Sequence, residues 1–265
     1  MKNLRKHGKP PFHIALIHGG PGATGQLLPI AQELSSTYGI IEPFQVSPSI
    51  AGQIQKLHII LEKYSSQHVI LIGHSWGAWL SLLYTSQYPS IVKKMIFINS
   101  APFKQHYVSQ ILNTRLNRLN TLEKKEYHTI IEILNNPYEK DKSIPFARLG
   151  KLLLKTDTFC PLQNLEETTE YHYTVFHHVW TEAEELRQSG KLLNEGKKIQ
   201  CPVVAIHGDY DPHPFQGVKE PLSENINDFR FILLHNCGHY PWIERDAKKI
   251  FYQILYKELR KANSS

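Results

Sequence analysis

Short apolar runs alternate with longer segments of helical spacing between residues 12 and 98. The apolar runs are residues 12–17, 40–44, 69–72 and 92–98. Their length and β-branched content are typical of buried strands, and the apolar spacing between them is typical of helices. This βαβαβαβ alternation predicts a doubly wound, mostly parallel sheet with helices on both faces.

The alternation stops near residue 100 and resumes near residue 201, and the intervening residues show helical spacing with no convincing strand. The helices predicted in this segment are residues 121–134, 143–155 and 165–188. The later strands and the last helix are residues 203–206, 229–234 and 244–261. We therefore expect an α/β core formed by residues 1–100 and 198–265, with residues 101–197 as an all-helical insertion.

The composition is that of a soluble globular protein, with 265 residues, 41% hydrophobic and 20% charged. No apolar run approaches the length of a membrane span. The basic N-terminus is followed by Gly8-Lys9-Pro10-Pro11 where a signal peptide would have an apolar region, so we expect no signal peptide. Three scattered cysteines indicate a reducing compartment, and we expect the protein to be cytoplasmic.

The formal net charge of +6 does not by itself indicate an acidic partner. The lysines and arginines are mostly interleaved with glutamates, and their main local excess is in the first nine residues. We therefore expect a solvated surface with no nucleic-acid and no membrane partner. The cysteines and histidines show no metal-ligand spacing, so no metal and no cofactor is expected. We expect a small-molecule substrate, and a protein that is a monomer or a homodimer.

The strand at residues 69–72 runs into Gly73-His74-Ser75-Trp76-Gly77, and a segment of helical spacing follows. A glycine-bracketed serine between a buried strand and a helix is typical of a nucleophile elbow. Such a sharp turn leaves no room for Cβ atoms beside the serine and holds it in a strained backbone conformation. Ser75 is therefore the candidate nucleophile, and the N-terminal N–H groups of the helix point towards its target.

A serine hydroxyl needs a base near neutral pH, and a histidine base needs a carboxylate to orient it. His239 follows the last predicted strand and is the candidate base, while Asp211 or Asp209, after the preceding strand, supplies the carboxylate. The carboxyl ends of parallel strands meet at one edge of a sheet, where ligands bind. Four further histidines are interpreted as strand-end or loop-ordering residues: His18, His207, His213 and His235.

With the order Ser, Asp, His and the segments His18-Gly19-Gly20-Pro21-Gly22 and Gly73–Gly77, the chain resembles the α/β-hydrolase superfamily and is similar to its proline iminopeptidase-like branch. The resemblance implies that residues 101–197 form a cap over the core. It also implies an oxyanion hole made by the backbone N–H groups of Gly20 and Trp76. The family places its acid three residues after the glycine that ends the strand, which favours Asp211 over Asp209.

The chain also departs from that branch. Only eleven residues precede the first predicted strand, so the two leading antiparallel strands of the family sheet are expected to be missing and the sheet to have about six strands. The family's D-Q-R-G segment is absent. In the other direction, Glu170-Tyr171-His172-Tyr173 resembles the segment that presents a carboxylate to the substrate's α-amine. Glu170 and Tyr173 are therefore candidate substrate-binding residues, although an exposed glutamate and packed aromatics would give the same pattern.

These residues predict a cofactor-free serine hydrolase that acts on a small ester or related acyl substrate through an acyl-enzyme. A proline iminopeptidase-like aminopeptidase, with Glu170 as the amine anchor, is the alternative within enzymes. The same triad also supports hydrolysis of a carbon–carbon bond or a lactone. A non-catalytic ligand-binding protein on the same fold is the hypothesis from a different class, because fold alone does not determine function.

Overall fold

The structure, a computed structural model, describes residues 4–65, 68–162 and 169–263. Its strands are β1 Leu4–His7, β2 Phe12–Ile17, β3 Ala23–Thr24, β4 Gly39–Pro43, β5 Val69–His74, β6 Val92–Ile98, β7 Glu170–Tyr171, β8 Val203–Gly208 and β9 Phe229–Leu234. Seven of them form one sheet in the order β1-β4-β2-β5-β6-β8-β9. Every neighbouring pair in that sheet is parallel except β1 and β4, which are antiparallel.

The helices are α1 Leu28–Leu34, α2 Ile50–Tyr64, α3 Trp76–Gln87, α4 Val108–Arg118, α5 Thr121–Asn135, α6 Ser143–Asp157, α7 Tyr173–Gln188, α8 Lys191–Gly196, α9 Gln216–Asn225 and α10 Ala247–Asn263. One face of the sheet packs against α2, α3, α8 and α9, and the other against α1 and α10. A third apolar cluster lies within the segment between β6 and β8 and contains residues of α5 and α6. The predicted doubly wound α/β fold is therefore confirmed.

The sheet has seven strands where about six were expected, because the basic N-terminal segment forms strand β1. Arg5 pairs with Glu42 across the antiparallel register, and His7 Nε2 lies 3.1 Å from the buried Glu42 carboxylate. A buried carboxylate needs such partners, and strand β1 supplies them. The expectation that both leading antiparallel strands are missing is thus wrong for one of them. Short basic segments of this kind resemble solvated tails in sequence, since their pairing is with a distant strand.

The segment between β6 and β8 is helical, as predicted, but it contains one short strand. Strand β7 pairs antiparallel with β3, so the loop after β2 is tied to this segment. The predicted helix over residues 165–188 begins only at Tyr173, and residues 165–168 lie outside the described part of the chain. Helix α5 covers the predicted residues 121–134, and its N-cap is Asn120, in a capping box with Glu123.

Across the described ranges, no helix has both the length and the apolar character that crossing a membrane requires.

Candidate active site

Ser75 occupies the sharp turn between β5 and α3 with φ 52° and ψ −115°, a strained conformation for a residue with a side chain. The flanking glycines make this turn possible. A Cβ atom at Gly77 would lie 2.0 Å from the backbone oxygen of Ile17, and one at Gly73 would lie 2.3 Å from the backbone oxygen of Gly77. The turn thus places the serine at the N-terminal end of a twelve-residue helix, on the border of a cavity.

His239 and Asp211 come from the loops after β9 and β8 and are joined by a short hydrogen bond. His239 Nδ1–H donates to Asp211 Oδ2 at 2.7 Å, and both side chains are buried. The same Asp211 oxygen accepts a hydrogen bond from Asn99 Nδ2 at 2.7 Å. With its Nδ1 proton directed at the carboxylate, the His239 ring has Nε2 available as the proton acceptor, which is the tautomer that a general base requires.

Asp209, the alternative acid, lies away from His239. Its carboxylate accepts hydrogen bonds from His235 Nδ1 at 2.9 Å and from the backbone N–H of Cys237 at 3.4 Å. The structure therefore brings Asp211, and not Asp209, to the candidate base.

A second histidine, His213, also binds Asp211. Its backbone N–H and its ring Nδ1–H both donate to Asp211 Oδ1, at 2.9 and 2.8 Å. Burial raises the pKa of the Asp211 carboxyl, but the adjacent His239 and His213 rings outweigh burial and hold that pKa well below its usual value. Burial lowers the pKa of His213 to about 4, so this ring is neutral near pH 7. The two ring donors thus keep the carboxylate ionised.

The loop that contains Gly20 is held in place by Gln26. The side-chain oxygen of Gln26 accepts a hydrogen bond from the backbone N–H of Gly19 at 2.9 Å and lies 2.9 Å from His74 Nδ1. His74 Nε2–H in turn donates to the backbone oxygen of His239 at 2.9 Å. Gly20 has φ +40°, and its N–H makes no hydrogen bond within the described residues. This N–H and that of Trp76 at the start of α3 are therefore both free for a ligand.

Ser75, His239, Gly20 and Trp76 border one cavity of about 230 Å³. The other described residues that line it are Pro21, Ala23, Gln26, Arg115, Phe146, Leu149, Gly150, Leu153, Asp157, Tyr171, Phe176, Trp180, His213 and Tyr240. Among the described residues the Ser75 hydroxyl has no hydrogen-bond partner, which is common in sites without substrate. The cavity therefore combines a polar floor with mostly apolar walls from α6 and α7.

The two predicted substrate-binding residues of the insertion do not line this cavity. The Glu170 side chain is 71% exposed and lies 3.9 Å from His172 Nε2. The Tyr173 hydroxyl donates to the backbone oxygen of Leu134 at 2.9 Å. Tyr171, between them, borders the cavity instead.

Several polar residues that line the cavity were not predicted there, among them His213, Arg115 and Asp157. Asp157, at the end of α6, is fully buried and accepts hydrogen bonds from Arg115 Nε at 2.9 Å and Nη2 at 2.5 Å. His213 stands two residues after Asp211, and its place in the same strand-end loop was a usable signal. The arginine and aspartate are 42 residues apart within a segment of plain helical spacing, which gave no signal of their pairing.

Asp211, His213 and His239 also form a described group whose possible metal-ligand atoms lie within 4.8 Å of one another. Both histidines direct Nδ1 at the carboxylate within hydrogen-bond distance. In this geometry ring protons occupy the positions between the three side chains, and the arrangement is that of a hydrogen-bonded network.

The fold and the site define a class of protein. The family model described as the alpha/beta hydrolase fold matches residues 13–246, so the chain belongs to the α/β-hydrolase family. Monoacylglycerol lipase ABHD6 of Mus musculus is 24% identical over 203 residues, which cover 76% of this chain but 58% of that protein. The chain thus spans less than two thirds of that relative's length.

Proline iminopeptidase of Saccharolobus solfataricus is 21% identical over 270 residues, covering 88% of this chain and 81% of that protein. The solved structure of VinJ shares the fold with a TM-score of 0.71 at 16% identity, covering 98% of this chain and 94% of its own. The resemblance to the α/β-hydrolase superfamily is therefore confirmed, and proline iminopeptidase is among the relatives.

Proposed function

We propose that this protein is a serine hydrolase that cleaves small carboxylic esters through an acyl-enzyme, with Ser75, His239 and Asp211 as its triad. The observation that carries the proposal is the 2.7 Å hydrogen bond from His239 Nδ1 to Asp211, in a cavity that the strained Ser75 also borders. This combination supplies a nucleophile, a base of the required tautomer and a carboxylate that stays ionised.

In the proposed reaction Ser75 Oγ attacks the ester carbonyl carbon while His239 Nε2 takes the hydroxyl proton. The N–H groups of Gly20 and Trp76 stabilise the oxyanion, a contribution for which one donor is typically worth about 10²–10³ in rate. The carbon–oxygen bond to the alcohol then breaks, and His239 returns its proton to the leaving oxygen. Water, deprotonated by the same ring, attacks the acyl-enzyme, and the acid is released as Ser75 regains its proton.

We also propose that residues 101–197 act as the cap of a core formed by residues 1–100 and 198–265. The cavity walls support this division, because nine of the described lining residues belong to that segment: Arg115, Phe146, Leu149, Gly150, Leu153, Asp157, Tyr171, Phe176 and Trp180. Apolar walls close to the nucleophile favour an acyl chain and limit bulk water.

The cavity favours an ester over a substrate with a free α-amine. An ammonium group requires an unpaired anion, and Asp157, whose charge Arg115 offsets, is the described carboxylate that lines the cavity. Glu170, the predicted amine anchor, points to solvent with 71% of its side chain exposed. The ABHD6 relative is named a monoacylglycerol lipase, which agrees with an ester substrate.

Hydrolysis of two substrate sets tests the proposal, with Ser75→Ala as the control. One set is p-nitrophenyl esters of increasing acyl length, and the other is prolyl and alanyl arylamides with free or blocked amines. We expect ester turnover that the Ser75→Ala variant lacks, and labelling of Ser75 by a fluorophosphonate. Cleavage of the free-amine arylamides alone would instead establish an aminopeptidase, and an unlabelled, inactive protein would support a non-catalytic binder.

A further inference from the structure

The cavity contains a built polar site that the proposed acyl transfer does not use. Arg115 on α4 holds the carboxylate of Asp157 with two parallel hydrogen bonds, from Nε at 2.9 Å and from Nη2 at 2.5 Å. Thr156 Oγ1 donates to the same carboxylate at 2.7 Å. A guanidinium fixed in this bidentate manner is pre-organised, so little entropy is lost when it binds a further group.

Arg115 keeps donors for a ligand. Its Nη1 group makes no hydrogen bond with the described residues, and the side chain, 19% exposed, borders the cavity. The pair as a whole is neutral, because Asp157 offsets the arginine charge. Such a pair offers both N–H donors and carboxylate lone pairs, and its local charge balance gives no strong attraction for an anion.

A third residue, Tyr240, lines the same cavity, and its hydroxyl makes no hydrogen bond within the described ranges. Burial raises the pKa of Tyr240, and the nearby Asp157 adds to this effect, so the hydroxyl keeps its proton. A tyrosine hydroxyl both donates and accepts. We call Arg115, Asp157 and Tyr240 the hydroxyl pocket. Together they suit a ligand group that both donates and accepts hydrogen bonds.

The hydroxyl pocket lies beside the candidate base, where the alcohol half of an ester substrate would bind. The backbone N–H of His239 donates to the backbone oxygen of Asp157 at 2.6 Å, and Tyr240 follows His239 directly in the chain. The pocket is thus attached to the loop of the base. Since the histidine of a serine hydrolase passes its proton to the leaving oxygen, groups beside it face the leaving alcohol, away from the oxyanion donors.

We propose that the hydroxyl pocket binds a neutral hydroxyl group on the alcohol half of the substrate, so that the preferred substrates are esters of polyols with an apolar acyl chain. This inference rests on the proposed ester hydrolysis and adds the substrate class. Phe146, Leu149 and Phe176 line the remaining wall and accommodate the acyl chain.

Four butanoate-type esters of matched size test it. Glyceryl butanoate carries hydroxyls on the alcohol, propyl butanoate carries none, 2-carboxyethyl butanoate carries an anion there, and propyl 3-hydroxybutanoate carries its hydroxyl on the acyl half. We expect kcat/KM for glyceryl butanoate to exceed that for each of the other three esters by about tenfold or more, the usual effect of hydrogen bonds to a charged group.

The double variant Arg115→Met/Asp157→Asn removes the pocket without leaving a buried charge unpaired. We expect the glyceryl-to-propyl ratio of kcat/KM to fall to about 1 in this variant, and to an intermediate value in Arg115→Lys. The ratio is the readout because a change in folding alters both rates together. Arg118→Lys is the matched control, since Arg118 lies on the same helix and binds the backbone oxygens of Thr156 and Tyr210 outside the cavity.

A wild-type ratio near 1, a ratio that the double variant retains, or a preference for the anionic or acyl-hydroxylated ester would overturn the inference while leaving ester hydrolysis in place. Absence of turnover of all four esters, together with an unlabelled Ser75, would overturn the proposed function and the inference with it.

Discussion

His213 stacks on His239, with ring centroids 4.5 Å apart and planes inclined by 28°. Both rings donate Nδ1–H to the same carboxylate, His213 to one oxygen of Asp211 and His239 to the other. The second histidine therefore fixes the acid and supports the face of the base at once. His213 is thus a positioning residue for Asp211 and His239 of the proposed triad, and it also borders the cavity.

We expect His213→Phe, which keeps a stacked ring and loses the hydrogen bond, to lower kcat/KM for an ester by about tenfold. Because burial holds the pKa of His213 near 4, the ring is neutral at both pH 6 and pH 8. The loss in kcat/KM should therefore be the same at the two pH values. Steady-state rates at the two pH values check this.

His213→Asn keeps a side-chain donor and should recover part of the lost rate. His235→Asn is the matched control, since His235 pairs with Asp209 at the surface and its side chain is 79% exposed. A loss that appears only at pH 6, or an equal loss in His235→Asn, would show that His213 does not act by holding Asp211.

The buried histidines also predict how stability depends on pH. Burial lowers the pKa of both His18 and His213 to about 4 from an ordinary value of 6.5. Between these values the unfolded chain binds more protons than the folded one, so stability is present above about pH 6.5 and is lost as the pH falls. Each histidine can cost up to about 2 kcal/mol between pH 6.5 and 5.

Urea unfolding at pH 7.5, 6.5 and 5 measures this slope. His213→Asn should reduce the slope by up to about 1.4 kcal/mol per pH unit, and His235→Asn should leave it unchanged. A flat stability profile in the wild-type protein between pH 6.5 and 5 would contradict the burial of neutral histidines described above.

The elbow glycines give a prediction about backbone geometry. Gly77→Ala places a Cβ atom 2.0 Å from the backbone oxygen of Ile17 and 2.7 Å from that of His18. Both are backbone atoms, which cannot move aside as a flexible side chain could. We expect a loss of about 3 kcal/mol in the free energy of unfolding, or failure to fold. Gly196→Ala is the control, because its nearest neighbours are side chains at 3.9 Å, and it should be neutral or stabilising by up to about 1 kcal/mol.

How far the sequence predicted the fold depended on whether the signal was local. The strand Val69–His74 and the helix after Ser75 are local patterns, and the structure has them within a few residues of the prediction. Strand β1 was missed because its stability comes from pairing with Glu42, which lies 35 residues from His7. Two-residue strands such as Glu170–Tyr171 have no periodicity to read at all.

The site divides in the same way. Ser75 and His239 follow recognisable strand ends, and the carboxylate that the structure places beside His239 is the one favoured by its spacing from Gly208. Arg115 and Asp157 meet across two helices of the insertion, where amphipathic spacing says which face is buried and nothing about which charges pair. Side-chain contacts that depend on tertiary packing were therefore not predicted from the sequence.

Gln26 connects the elbow to the proposed oxyanion loop, and its loss should affect the rate more than binding. Its side-chain oxygen holds the N–H of Gly19 at 2.9 Å, next to Gly20, and contacts His74 in the elbow at the same distance. Gln26→Leu frees that loop, so we expect kcat for an ester to fall about 10- to 100-fold while KM changes less than about threefold. Gln32→Leu, on the exposed face of α1, is the control and should change neither constant. A Gln26→Leu variant with normal kcat and a raised KM would instead place Gln26 in substrate binding, with the oxyanion loop held by other contacts.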